Sequence, residues 1–398
     1  TRDAAVERRN RVLANLDLWL ETFERNARAQ GAHVLYAETY EEAARLIVEI
    51  ATTHGVRKVT KSKSMVSEEI GLNHALEAAG IVPVETDLGE YILQINDNEA
   101  PSHIIAPVIH KDKEEISDLF ARSHAMPRKT EITQLTREAR EVLRDHFLSA
   151  DMGVTGANFL IAETGSAAVV TNEGNEGMCT IMPAKVHVVL TGIEKILPTL
   201  EDLATLMRLL PRSATGQQIS NYLSILSGPR RSDELDGPEH MFYVLLDAGR
   251  SGLIGSEYQD MLRCIRCGAC MNHCPVYQKV GGHTYGWVYP GPMGSVLTPN
   301  YVGVDKAIDL PQAATFCNQC SVVCPVKIPL PDLMRKLRKE QWERGLRPWY
   351  ERMGVAVWAF AAKRPELYGL AAKVAVRVLK WMGGHDRQRV LALGSHYR

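Results

Sequence analysis

The chain has 398 residues, of which 45% are hydrophobic and 23% charged, and its formal net charge is −1. That length accommodates two or three domains, the composition is that of an ordinary globular protein, and the near-neutral charge gives no reason to expect nucleic acid as a partner. The longest apolar run, Met353 to Ala362, is about half of the ~20 residues a membrane-spanning helix needs.

The opening TRDAAVERRNRVLANLD has no apolar core of a signal peptide, and its first residue, threonine, leads us to expect a native start further upstream. Leu13, Leu16, Trp19, Leu20 and Phe23 recur at helical spacing and predict one amphipathic helix in residues 1–30. From there strands and helices alternate. HVLYA is a strand, and Thr39 caps a helix, with Glu42 three residues on and Gly55 as its stop. RKVTKSKS is a strand and loop, Ser67 caps a second helix that ends at Gly80, and IVPVET, YILQI and HIIAPVIH are strands. KEEISDLFARS and TQLTREAREVLRDHFLSA are helices, NFLIAETGSAAVVTN is a hairpin around Thr164 and Gly165, and KVHVVLTG and MFYVLLDAG are late strands. A polar linker, residues 228–240, precedes the last of them. This alternation predicts an α/β domain with a largely parallel sheet over residues 31–250.

Within that domain Lys61, Ser62, Lys63 and Ser64 occupy a loop between a strand and a helix. Ligands of open α/β sheets collect at such strand ends, and two lysines at a helix N-terminus suit a carboxylate or phosphate. A solvated basic loop is the plain alternative. Gly153, Gly156 and Gly165, with Asn172 and Asn175, suggest a tight pocket lined by amides. Glu163 ends a strand and suits either a base or a structural role. No GxGxxG follows a strand and there is no P-loop, so no bound NAD is expected, while a flavin stays open. No residue is singled out as catalytic.

Seven of the eight cysteines fall in two short motifs, which in this chain reads as metal binding rather than a disulfide framework. The first, CIRCGACMNHCP, is the bacterial ferredoxin run, in which three thiolates wrap one cluster and the fourth, before proline, reaches the other. Zinc, which takes two separated pairs of ligands, fits it poorly. The second, CNQCSVVCP, aligns on its own Cys-Pro and lacks one cysteine, whose place falls on Ala314. The swap rule then assigns Cys264, Cys267, Cys270 and Cys324 to cluster 1, and leaves Cys274, Cys317 and Cys320 for cluster 2. Three outcomes stand open for cluster 2: a cubane with one iron held by another group, a three-iron cluster, or a fourth ligand from Cys179 or a histidine such as His273. A three-thiolate [4Fe-4S] cubane is the expectation. Cys179, alone in GMCT, otherwise reads as a small buried residue.

Between the motifs, GGHTYGWVYPGPMGSVLTP reads as loop, and IPLPDLMRKLRKEQWERG as a helix with a basic face. Residues 251–345 are therefore expected to form the cluster domain, and residues 346–398 a basic helical tail. From Arg335 to Arg398 there are fifteen Lys or Arg against five Asp or Glu, a net +10 that leaves −11 for the rest. Such a tail suits an acidic partner or an anionic membrane surface, or is a set of solvated helix faces. Trp358, Phe360, Val376 and Trp381 beside its basic residues suit an interfacial helix or a subunit contact.

Taken in order, VTKSKSMVSEEI, ETDLGEYILQ, PSHIIAPVIHK, GVTGANFLIAETGS, TNEGN, KVHVVLTGIEKILPTLEDL, GGHTYGWVYPGPMGSVLTP and CPVKIPL resemble, over nearly the whole chain, the iron–sulfur (B) subunit of the bacterial three-component lactate utilization system. The resemblance implies an α/β LUD domain, similar to the NagB/RpiA/CoA-transferase-like group, followed by an α-helical two-[4Fe-4S] ferredoxin domain and the helical tail. It further implies a cytoplasmic role in oxidation of L-lactate to pyruvate, with a cysteine-rich subunit and a LUD-only subunit as partners. The leading expectation is an electron-transfer subunit rather than an enzyme acting alone. Two others stand beside it: oxidation of a 2-hydroxy acid by this chain at the junction of the LUD domain and cluster 2, and a redox-sensing binding module.

Overall fold

The computed structural model describes residues 1–183 and 185–382. Its strands are β1 (His33–Ala37), β2 (Lys58–Lys61), β3 (Val82–Glu85), β4 (Met152–Thr155), β5 (Phe159–Ile161), β6 (Ser166–Thr171), β7 (Val186–Gly192), β8 (Ile196–Leu197), β9 (Tyr222–Leu226) and β10 (His240–Leu246). Six make an all-parallel sheet in the order β1-β10-β7-β4-β2-β3. The others make a mixed sheet in the order β8-β5-β6-β9, with the expected hairpin β5–β6 at its centre.

A parallel strand covered on both faces is apolar along its length, and β7 is buried from Val186 to Gly192. Side chains alternate across it. Val188, Leu190, Val244 and Leu246 meet Ile47 and Leu76 of the helices Tyr40–Thr53 and Leu72–Ala78. Val189, Tyr243 and Leu245 meet Phe23 of the helix Leu16–Ala29 and Leu160, Ala167 and Ile196 of the second sheet. The result is a helix–sheet–sheet stack with the N-terminal helix over the second core.

Several elements differ from expectation. The single helix of residues 1–30 is two, Arg2–Leu13 and Leu16–Ala29. The first lies along the segment before the cysteines, where Arg9 donates to the Leu262 carbonyl, while the second packs on the sheets. One straight helix would not reach both. The helix expected from Ser67 to Gly80 is also two, Met65–Glu69 and Leu72–Ala78, capped by Ser64 and broken at Gly71, whose φ is +60°. YILQI is not a strand. Asp87 caps the helix Leu88–Ile95 by accepting from the Gly89 N–H, and Tyr91 and Ile92 pack on Leu119, Phe120 and Leu143.

HIIAPVIH is not a strand either; with Ser102 before it, it docks onto the cysteine-bearing segment. The Tyr277 hydroxyl donates to the Ser102 carbonyl at 2.7 Å, and His103 Nε2 lies 3.0 Å from Asn272 Oδ1. The stretch between the motifs is not all loop but contains the helix Gly291–Val302, buried from Gly291 to Pro299. A helix buried all round carries no amphipathic period, and its two prolines read as breakers.

The chain divides into two compact units, residues 1–337 and 338–398. The first holds both sheets and all seven motif cysteines. In the second, the helices Trp349–Ala362 and Pro365–Met382 pack on each other and leave Trp358, Phe360, Val376 and Trp381 exposed. Residues 383–398 of the expected tail lie outside the described residues. Among the described residues no helix is long and apolar enough to cross a membrane.

Candidate functional site

The two cysteine motifs repeat one backbone path. Arg266 (φ 58°) and Gly268 (φ 74°) in the first correspond to Phe316 (φ 56°) and Asn318 (φ 65°) in the second. Left-handed backbone is costly for arginine, phenylalanine and, less so, asparagine. Its recurrence at matching positions supports the alignment that sets Ala314 opposite Cys264. Each path then enters a short helix, Ala269–Asn272 or Gln319–Val323. Backbone N–H groups turn toward sulfur: Arg266 to Cys264 at 3.5 Å, Tyr277 to Cys274 at 3.5 Å and Ile328 to Cys324 at 3.4 Å.

None of the eight cysteines is joined in a disulfide. Burial, followed by the repulsion of Cys264, Cys267 and Cys324, pushes the Cys270 thiol far above its ordinary value, and burial with Cys264 and Cys324 pushes Cys267 up to about 12. Cys320 is pushed to about 11 by burial, and its thiol neighbours are Cys274 and Cys317. Cys317 is exposed and held below the usual thiol range by the Gln319 N–H and the Thr315 hydroxyl. Neighbouring thiols so costly to ionise together, with N–H groups aimed at sulfur, fit a multiply charged iron–sulfur group that would hold them as thiolates. Cys179 is committed elsewhere: it is buried in another core, 3.3 Å from Thr86 Oγ1. His273 is exposed with Nδ1 on the Ala269 carbonyl at 3.0 Å.

Cations surround Cys264. Arg9 and Lys195, both buried, and the part-buried Arg266 lie within its electrostatic reach. Arg266 lies 4.6 Å over the Tyr289 ring and 3.5 Å from Glu194. Arg250 holds Glu69 at 2.7 Å and Glu194 at 2.9 Å, and the Tyr289 hydroxyl donates to Glu69. Burial pushes Glu194 up, but Arg250, Lys195 and Arg266 outweigh it and hold the carboxyl at about 2.

Three members of this network, Lys195, Arg266 and Tyr289, line a cavity of about 270 Å³. Ser62, Lys63, Asn172 and Asn175 line it from the α/β side, Arg266 and Tyr289 from the cysteine side, and Lys195 also faces it. Arg266 brings the first cysteine loop to this cavity.

Two expected site residues are elsewhere. Lys61 is buried with its ammonium on Glu85 at 2.5 Å and Asn73 at 2.6 Å, so its charge is already matched. Glu163 accepts from the Leu200 N–H at 2.5 Å, the first N–H of the helix Leu200–Met207. Lys63, in the cavity wall, is paired with Glu90 at 3.0 Å and donates to the Ile105 carbonyl at 3.2 Å. Asn172 bridges to Gln217 at 2.9 Å, and Asn175 donates to Thr86 at 3.4 Å. Gly153 lies outside the cavity lining: a Cβ there would stand 1.7 Å from the Cys179 carbonyl oxygen, so β4 and the helix Asn175–Ile181 touch backbone to backbone. Sequence reasoning missed Lys195, Arg266 and Tyr289. The signal available for one of them was an arginine between two closely spaced ligand cysteines.

Residues 20–246 match the LUD domain family and residues 260–328 the 4Fe-4S dicluster domain. Lactate utilization protein B of Geobacillus kaustophilus is 46% identical over 375 residues, 94% of this chain and 79% of that protein. Its counterpart in Macrococcus caseolyticus is 45% identical over 387 residues, 97% of this chain and 81% of that protein. A solved DUF162-family protein from Deinococcus radiodurans is 14% identical, with a TM-score of 0.31, over 58% of this chain and 98% of that one. An α/β domain with a parallel sheet, followed by a helical segment carrying the cysteine loops, and relatives this similar over nearly the whole of this chain lead to one conclusion: the chain belongs to the lactate utilization protein B family.

Proposed function

We propose that this chain is the iron–sulfur electron-transfer subunit of a multi-subunit cytoplasmic complex that oxidises L-lactate to pyruvate, acting with a cysteine-rich subunit and a LUD-only subunit. What supports the reading is that both cysteine loops, with the same left-handed backbone path at Arg266/Phe316 and Gly268/Asn318, lie in one compact unit with the cavity, and that residues 260–328 match a 4Fe-4S dicluster domain. Cys264, Cys267, Cys270 and Cys324 would hold cluster 1, and Cys274, Cys317 and Cys320 would hold cluster 2 with three thiolates. Two [4Fe-4S] groups bound there supply one-electron transfer.

The chain's own residues provide the surroundings. Arg9, Lys195 and Arg266 set positive charge beside the four-cysteine set, which favours an added electron there. The three-cysteine set opens to solvent at Cys317, which suits exchange with another subunit. The NagB/RpiA/CoA-transferase-like assignment of the α/β part belongs to this reading, as does docking of the basic C-terminal helices to an acidic partner or anionic membrane surface.

The test is lactate-dependent dye reduction by the three subunits together. All three are expected to be required, with Cys274→Ser in this chain slowing turnover at least about tenfold, or ~1.4 kcal/mol of barrier. Equal turnover by the other two subunits without this chain would end the reading.

A further inference from the structure

We propose that the cavity beside the first cysteine loop binds a short 2-hydroxy or 2-oxo carboxylate, anchored by the Lys195 ammonium and the Arg266 guanidinium. The proposal rests on the lactate-utilization reading only for its choice of probes.

Lys195 ends the turn Ile193–Lys195, is 6% exposed and lines the cavity. Among the described residues no carboxylate or carbonyl accepts from its ammonium. Arg266 lines the same cavity, and its buried Nε has no partner. Its nearest carboxylate is Glu194 at 3.5 Å, whose other oxygen already accepts from Arg250 at 2.9 Å. In this network Arg250 takes both buried carboxylates, Glu69 and Glu194, and Arg9 donates to backbone carbonyls, so the buried Lys195 and the part-buried Arg266 add positive charge that nothing beyond the shared Glu194 offsets. Buried cations in excess need an anion, and a planar guanidinium beside an ammonium suits a carboxylate.

The opposite wall offers what a 2-substituent would use. Ser62 Oγ and Asn175 Oδ1 are buried, line the cavity and have no hydrogen-bond partner. A buried polar atom without a partner is costly unless a ligand or water completes it. The cavity, about 270 Å³, sits at the small end of ligand sites. A competing anion exists: thiolates of the four-cysteine set, with the group they hold, also draw on Lys195 and Arg266. The experiment separates the two roles.

L-Lactate, pyruvate and the neutral isostere lactamide are titrated into the full chain with its clusters reconstituted, by calorimetry under anaerobic conditions. Saturable one-to-one binding of at least one acid is expected, at least about tenfold weaker for lactamide. Lys195→Met is expected to lose at least about tenfold in acid affinity, with Lys195→Arg recovering part of it. No saturable binding of either acid, or lactamide binding as well as lactate, would overturn the site on the unaltered chain alone. So would a Lys195→Met chain that binds acid normally and changes only its EPR spectrum, since the lysine would then serve the cluster alone. Iron content and dithionite reduction are read on the same samples. Loaded, reducible clusters without acid binding would remove the site and leave the electron-transfer reading standing, whereas acid binding by a chain that loads no cluster would do the reverse.

Discussion

Lys61 and Lys63 stand two residues apart and look alike in the sequence, yet their surroundings separate them. Lys61 sits directly opposite Glu85 across β2 and β3, and both are buried. Burial alone would lower the Lys61 pKa, but Glu85 and Glu68 outweigh it and hold the ammonium above its ordinary value of 10.5. With the folded value raised, the stability that the charged Lys61 contributes is fully present below its unfolded value, about 10.5, and is lost as pH rises through the folded value. Lys61→Met strands a buried carboxylate and is expected to cost about 3–5 kcal/mol, while adding Glu85→Leu recovers most of it. Urea unfolding of the two variants checks this, and a single-variant loss under about 1 kcal/mol would contradict the pairing. Sequence periodicity located the loop but could not show that β3 brings an acid to one lysine. Lys195 and Arg266 escaped for the same reason: their meeting depends on a turn and a cysteine loop seventy-one residues apart in the chain.

At the scale of elements, those with a local cause were legible. The helix Tyr40–Thr53 begins where Thr39 accepts from the Glu42 N–H, and the hairpin β5–β6 turns at Gly165, whose φ is +65°. The elements misread are those whose pattern serves a tertiary contact. YILQI repeats apolar residues densely enough to suit a strand, and only the Asp87 cap marks it as a helix. HIIAPVIH is apolar because it lies between the α/β part and the cysteine loops: Gly268 would meet Ile105 at 3.2 Å if it carried a Cβ. Contact between elements also decides what glycine does in each. Gly153→Ala drives a methyl into the Cys179 carbonyl and is expected to lose about 1–3 kcal/mol or more. Gly177→Ala, inside the helix Asn175–Ile181 with no atom within 4 Å of its Cβ, is expected to gain about 0.4–1 kcal/mol. Thermal unfolding of the pair distinguishes them, and equal effects would mean that the backbone contact is absent.

For the whole molecule, the two cysteine motifs were legible from their spacing, and the matching left-handed residues Arg266/Phe316 and Gly268/Asn318 follow the same alignment. What spacing could not reveal is that the α/β cavity adjoins the loop of Cys264 and Cys267, because that depends on how residues 100–110 seat on the later segment. The central claim is that Cys324, although it lies in the second motif, serves the four-thiolate cluster, and that the other cluster has three thiolates. EPR of the anaerobically reconstituted full chain tests it most directly, comparing the dithionite-reduced spectra of the unaltered protein, Cys324→Ser and Cys274→Ser. The account expects about eight iron per chain in the unaltered protein and two reducible signals. Cys324→Ser should alter the signal that is also altered by Cys264→Ser, and Cys274→Ser should alter only the other. A Cys324→Ser spectrum that changes together with Cys274→Ser, or a chain that loads only one cluster, would contradict it.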